Sequence, residues 1–285
     1  MRESHHNQHE ILARLGSARL PAAIDVRALV VAAHPDDEII GVGARLARWP
    51  TADVVYTTDG APNDLRDAWA LGISSRNEYA SLRRTERGRA LAVANVTTDR
   101  VHDLGRVDGE ATRDLVGLTA ELYAMLCAAK PEVVVTHPYE GGHPDHDATA
   151  FAVHAAVGQL ARADAATPVI VEMTSYHIEQ GGLVTGCFLP SAHRHAESTP
   201  LSAQEQSLKQ QMLGCHASQQ KVLRPFRIDI EPIRVAPVYD FVEPPHEGRL
   251  FYECFPWWTT GPEWRGRARA ALRSLGIAQR GGLLS

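Results

Sequence analysis

Apolar runs of strand length recur along this chain, separated by longer stretches with helical periodicity. "ALVVAA" (28–33) is apolar throughout, the pattern of a strand covered on both faces, and "EIIGVGARLARW" (38–49) and "ADVVYTT" (52–58) follow as helix and second strand. The same reading predicts a helix over 74–95, a strand at "RVHDLG" (100–105), a helix over 111–129 ended by Pro131, and a fourth strand at "EVVVTH" (132–137). A helix over 148–161 and a strand over 168–178 continue the alternation. From 181 it loosens into short strands, one helix over 201–223 and a Pro-rich, aromatic tail. The pattern predicts an α/β fold, Rossmann-like, with a mostly parallel sheet flanked by helices over 26–180 and a smaller mixed C-terminal lobe of the same domain over 181–285. Residues 1–25 show little periodicity and are expected to be a polar, partly disordered lead.

Composition narrows the function. The chain has 285 residues, 44% of them apolar and 22% charged, enough to bury a substantial core. Its formal charge of -5 offers no polybasic surface, so neither nucleic acid nor an anionic membrane is an expected partner. No apolar run reaches the eighteen or so residues of a membrane span, and "MRESHHNQHE" lacks an apolar signal core, which makes the cytoplasm the expected location. Cys127, Cys187, Cys215 and Cys254 stand far apart with no C-x-x-C, so a bound metal would have to take nitrogen and oxygen ligands.

Such ligands are concentrated at two strand ends. "HPDDE" (34–38) follows the first strand, and "THPYEGGHPDHDA" (136–148) follows the fourth. In an open parallel sheet both clusters lie at carboxyl ends, where they can meet in one crevice. Imidazole and carboxylate suit a catalytic zinc, which takes three protein ligands and keeps a position for water or substrate. His34, Asp37 and His146 give such a set, Asp36 is placed to take a proton from an attacking water, and His143 to stabilise an oxyanion or protonate a leaving amine, with Asp145 orienting or charging it. Similar sites take iron, cobalt or nickel, so the ligand types leave the divalent metal open.

At these residues "AAHPDDEIIG" and "GGHPDHDA" resemble the LmbE-like or PIG-L family of zinc-dependent N-acetylglucosaminyl deacetylases, over about residues 27–160. The resemblance implies a Rossmann-like sheet, a bound Zn2+ on His34, Asp37 and His146, Asp36 as general base and His143 as transition-state stabiliser. It implies removal of the N-acetyl group from a small-molecule amino sugar or glycoconjugate. "LRRTERGRALAVANV" (82–96) and "LGRVDGE" (104–110) are similar to family segments that reach the sugar, which makes Arg83, Arg84 and Asp108 candidates for substrate binding. "LKQQMLGCHASQQ" (208–220) resembles a family helix with a histidine and S-Q. Some members carry a mobile tyrosine where this chain has Gly141, and His137 and Tyr139 are the nearest residues to take its place.

Each assignment has a plainer competitor. Asp36 or Asp37 could cap the following helix, Arg83 and Arg84 could line a solvated face, and Asp108 could open a turn with Gly109. His137 and Glu140 could brace the loop, His102, His154, His177 and His216 could be structural, and Trp257, Trp258 and Trp264 could be packing. The residues leave open a tailoring deacylase that acts on an amino-sugar-bearing scaffold, or a sugar-binding protein without turnover. A nucleotide-binding redox protein is disfavoured, because "HPDDEIIG" replaces the glycine-rich turn that a pyrophosphate needs.

Overall fold

The computed structural model describes residues 2–17, 22–190, 196–198, 200–255 and 259–277. Six strands, β1 (Ala28–Ala32), β2 (Ala52–Pro62), β3 (Val101–Asp108), β4 (Val133–Thr136), β5 (Val169–Met173) and β8 (Ile233–Val235), form one sheet in the order β3-β2-β1-β4-β5-β8. All neighbours run parallel except β8, which is antiparallel to β5. The order reverses between β1 and β4, which opens a crevice beyond their carboxyl ends.

Successive side chains of a strand point to opposite faces, and both faces of this sheet are covered. Val30, Ala32, Val133 and Val135 enter one core with α1 (Arg2–Ser17), α2 (Asp37–Leu46), α4 (Arg76–Val93) and α7 (Ala203–Gly214). Leu29, Val31 and Val134 enter the other with α5 (Leu115–Ala129), α6 (Pro144–Arg162) and α9 (Gly261–Ser274). This two-sided burial explains why β1 and β4 read as unbroken apolar runs. Residues beyond 181 supply β8 to the sheet and α7 and α9 to its two faces.

Five parts of the chain depart from the sequence reading. The lead forms α1, whose Ile11, Leu12 and Leu15 are buried in the first core, while Arg14 reaches Glu132 at 3.4 Å. Three apolar residues on one face of an otherwise polar helix suffice to dock it. The strand expected over 168–178 breaks at Thr174 and Ser175: β5 stays in the sheet, and β6 (Tyr176–Glu179) pairs with β7 (Gly182–Thr185) in a separate hairpin. The helix over 201–223 is α7, opened by a Ser202–Glu205 capping box, followed by a 3-10 turn and the short α8 (Gln220–Leu223). The aromatic tail contains α9, opened by a Thr260–Glu263 capping box, and its Trp264 is fully buried. Trp257 and Trp258 lie outside the described residues. A short α3 (Arg66–Ala70), not predicted, follows β2.

Candidate metal centre and active site

The two motif clusters meet at the β1/β4 switch. His34 Nδ1 lies 3.1 Å from Asp37 Oδ2 and 3.2 Å from His146 Nε2, and those last two atoms are 3.2 Å apart. A tetrahedral ion with metal–ligand bonds of about 2.0–2.1 Å requires ligand atoms about 3.3–3.4 Å from one another. The three atoms therefore outline one face of such a tetrahedron, and the donor set fits a divalent metal with a position left for water or substrate. All three residues are buried.

The remaining ring nitrogens are held by partners that fix how each ligand points. His146 Nδ1 lies 3.1 Å from Ser175 Oγ, so the proton is assigned to Nδ1 and the Nε2 lone pair faces the triangle. His34 Nε2 faces Asp108 Oδ1 at 3.2 Å and Asp145 Oδ2 at 3.3 Å. Burial lowers the His34 pKa, but Asp108 and the hydrogen bonds to Asp108, Asp145 and Asp37 together raise it well above the ordinary value. For Asp108, burial pushes the pKa up, but His34, His143 and Arg83 outweigh it and hold the carboxyl below its usual range. Asp37 accepts the His34 backbone N–H at 2.8 Å. Burial raises its pKa, yet His146 and His137 bring it down overall.

The Asp36 side chain makes no capping hydrogen bond to α2, although the residue occupies the cap position and its carbonyl accepts the Ile39 and Ile40 N–H groups. Its φ of 121° lies in a region that L-residues rarely adopt, and two partners hold it there. The Glu38 carboxylate accepts its backbone N–H at 3.0 Å, and Arg83 Nη2 donates to its Oδ2 at 3.1 Å. Burial pushes the Asp36 carboxyl up to about 6; Arg83 pulls it down and Asp37 pushes it further up. Arg83 is only 2% exposed and also donates to the Pro35 and Gly60 carbonyls. It is therefore not a solvated helix residue, and its guanidinium sits on Asp36. Arg84, one residue on, is exposed and lines a cleft of about 160 Å³ with Pro35, Asp59 and Asp103.

His143 is the N-cap of α6, with Pro144 and two acidic residues in the first turn behind it. Its Nδ1 accepts the Asp145 backbone N–H at 3.1 Å, which leaves the ring proton on Nε2, the atom 3.9 Å from Asp108 Oδ1. Burial, then the His34 and His146 charges, lower its pKa well below the ordinary value, so the ring is a neutral donor. The Asp145 carboxylate, expected to orient or charge His143, is engaged by a turn earlier in the chain. It accepts the Gly109 and Ala111 N–H groups at 2.6 and 3.1 Å, tying the turn that carries Asp108 to α6, and burial raises its pKa.

His137 and Tyr139 do not replace the family tyrosine in the crevice. His137 is fully buried, stacked on His146 with ring centroids 4.0 Å apart, and its Nε2 accepts the Ala33 N–H at 2.9 Å. Burial, then His146, lowers its pKa. Tyr139 points into the second core, stacked on Trp264, and donates to the Glu243 carbonyl at 2.9 Å. At Gly141 itself φ is +70°, and a Cβ would meet Leu250 Cδ2 at 2.7 Å, so no larger residue fits unstrained. A Cβ on Gly142 would stand 2.0 Å from the Tyr176 carbonyl oxygen, and that close approach brings β6 against the second motif. Glu140 braces the loop through Arg234 at 3.3 Å and the Leu189 N–H at 2.7 Å. His177 and His216 are buried away from the ligand triangle, and His154 packs on Tyr239 and Phe241, pushed down to about 4 by burial.

Ser175 and Tyr176 escaped the sequence reading. Tyr176 stands edge-on to His146, with centroids 5.3 Å apart. Their one legible signal is position, at the carboxyl end of the strand next to β4.

The PIG-L family model, described as GlcNAc-PI de-N-acetylase, matches residues 29–157. The 1D-myo-inositol 2-acetamido-2-deoxy-alpha-D-glucopyranoside deacetylase 2 of Catenulispora acidiphila is 33% identical over 170 residues, 48% of this chain and 54% of that protein. The chain spans about half the length of the curated relatives it matches. Among solved structures, the zinc-inhibited form of a teicoplanin deacetylase superposes with a TM-score of 0.53 at 18% identity, covering 73% of this chain and 97% of that one. The N,N'-diacetylchitobiose deacetylase from Pyrococcus horikoshii does so with a TM-score of 0.51 at 19% identity, covering 83% and 93%. These two likenesses concern the fold. The matched stretch contains both motif clusters, so the likeness to the PIG-L family covers residues 29–157 of this chain.

Proposed function

We propose that this protein is a zinc-dependent N-deacetylase that hydrolyses the N-acyl amide of an amino sugar. The observation that carries the reading is the triangle of His34 Nδ1, Asp37 Oδ2 and His146 Nε2, with an acid and a neutral imidazole beside it. Zinc on those three atoms would supply Lewis-acid polarisation of the acyl carbonyl and of the attacking water. Asp36, held by Arg83, takes the proton from that water as its oxygen adds to the carbonyl carbon. His143 presents Nε2–H to the oxygen that gains charge. The C–N bond then breaks, and the proton passes to the leaving amine to give a carboxylic acid and a free amino sugar. Asp108, beside His34 at the crevice edge, offers a carboxylate to sugar hydroxyls. The substrate is a small molecule, in keeping with the amino-sugar deacetylases among its relatives.

The test measures acetate and primary-amine release from N-acetylglucosamine, its glycosides and chitobiose, with metal-loaded and chelated protein. Metal-dependent release is expected, and Asp36→Asn should lower kcat by about 10²- to 10⁴-fold at equal metal content. Turnover at the wild-type rate by Asp36→Asn would remove Asp36 from the base role. A second reading, binding without turnover, predicts saturable sugar binding and no amine release.

A further inference from the structure

The crevice has two chemically different sides. Beyond His34 stand Asp108 and Asp145, with Arg83 and Asp36 behind them. Beyond His146 stands a row of aromatic rings. Tyr176 is 5.3 Å from the His146 ring, Phe226 and Phe251 are 5.7 and 5.5 Å from Tyr176, and Phe255 is 5.3 Å from Phe251, measured between centroids. All four rings are half-buried. Tyr176, Phe251 and Phe255 belong to neither core, and Phe226 only borders the first. The row is anchored where it meets the second motif: the Phe251 N–H donates to the Gly141 carbonyl at 2.9 Å, and the Tyr176 backbone rests on Gly142.

A secondary amide is planar and trans, so its acyl chain and its amine substituent leave the carbonyl group in opposite directions. With the carbonyl at the ligand triangle, one substituent runs toward the carboxylates and the other toward the rings. A sugar's hydroxyls match carboxylate and guanidinium groups, whereas methylenes and aryl groups match phenylalanine and tyrosine faces. We propose that Tyr176, Phe226, Phe251 and Phe255 form an acyl-binding wall, and that the preferred substrate is an amino sugar N-acylated with an apolar group longer than acetyl. This inference rests on the N-deacylase reading above. Hydrolysis then adds the water oxygen to the acyl carbon, breaks the C–N bond and releases the longer carboxylic acid and the amine.

The experiment compares N-acetyl, N-butyryl, N-hexanoyl and N-phenylacetyl glucosamine as substrates of the metal-loaded protein, and acetate against hexanoate as ligands by calorimetry. The expected result is a kcat/KM at least tenfold higher for the hexanoyl or phenylacetyl compound than for the acetyl one, with hexanoate binding tighter than acetate. Phe251→Ala and Phe226→Ala should each lower the hexanoyl-to-acetyl ratio of kcat/KM by fivefold or more. Hydrolysis of the acetyl compound with equal or lower kcat/KM for every longer chain overturns the acyl wall and leaves the deacetylase intact. Absence of amine release from all four compounds overturns the deacylase reading, and equal binding of acetate and hexanoate then overturns the wall as well.

Discussion

On the His34 side of the ligand triangle the nearest groups are two carboxylates, Asp108 and Asp145 at 3.2 and 3.3 Å, whereas on the His146 side they are the Ser175 hydroxyl and the Tyr176 ring. The first side is built wholly within residues 29–157, and backbone N–H groups pin it: Asp145 takes those of Gly109 and Ala111, and Glu38 takes that of Asp36. The second side comes from the break after β5 and from residues after 181. Groups that move protons require fixed positions, and the stretch similar to the PIG-L family supplies them. The groups that select the acyl chain need only shape and apolar surface, and they lie outside it.

The largest effect on this comparison should come from His146, the ligand at the boundary between the two sides. His146→Ala removes one vertex of the triangle, and turnover should fall by on the order of 10³-fold or more, with metal content dropping after dialysis. Next is the buried link that joins the two sides. Glu172 accepts from Arg234 Nε and the Tyr239 hydroxyl, both at 2.6 Å, and Arg234 also holds Glu140 of the second-motif loop. Burial pushes the Glu172 carboxyl from 4.5 up to about 7, against the pull of Arg234 and Tyr239, so between those values the folded state binds more protons than the unfolded chain. Stability should therefore fall as pH rises from about 4.5 to 7, by about 3 kcal/mol from this group, and level off above. Denaturant midpoints across that range should show the slope in wild type and a shallower one in Glu172→Gln, where Asp36 and Glu38 still contribute.

Ser175→Ala tests whether the second side also tunes the metal. Without the oxygen that orients His146 Nδ1, metal affinity should weaken about 10- to 100-fold in chelator competition, and unchanged affinity would reduce Ser175 to packing. The smallest effect is expected at Tyr139, which neighbours the second motif in sequence but packs in the core. Tyr139→Phe should cost about 1 kcal/mol of stability for the lost bond to the Glu243 carbonyl and leave KM within twofold. A large rise in KM would return Tyr139 to the crevice.

Legibility in the sequence followed the range of the interaction. His34, Asp37, Asp36, His143 and His146 were readable because each stands within a few residues of an apolar strand end, and parallel sheets collect strand ends. The partners of those residues were not. Arg83 lies on α4, 47 positions from Asp36, and a guanidinium on a helix reads the same whether it meets solvent or a buried carboxylate. Asp145 is next to His143 in space as in sequence, yet its side chain reaches 36 residues back to Gly109. Helix α1 was missed because its apolar stripe has only three buried residues, and α9 because Trp and Pro around its start masked a capping box.

By itself the sequence determined the α/β class, the succession of strands up to β5, and the gathering of His34, Asp36, Asp37, His143 and His146 at one end of the sheet, because unbroken apolar runs and the charge directly behind them are local properties of the chain. Only the tertiary structure decided that Arg83 meets Asp36, that Asp145 holds the Asp108 turn, that Tyr139 turns into the core, and that a row of aromatic rings starts beside His146. Those four facts depend on which distant segments the sheet order β3-β2-β1-β4-β5-β8 brings together, and residue spacing carries no record of such contacts.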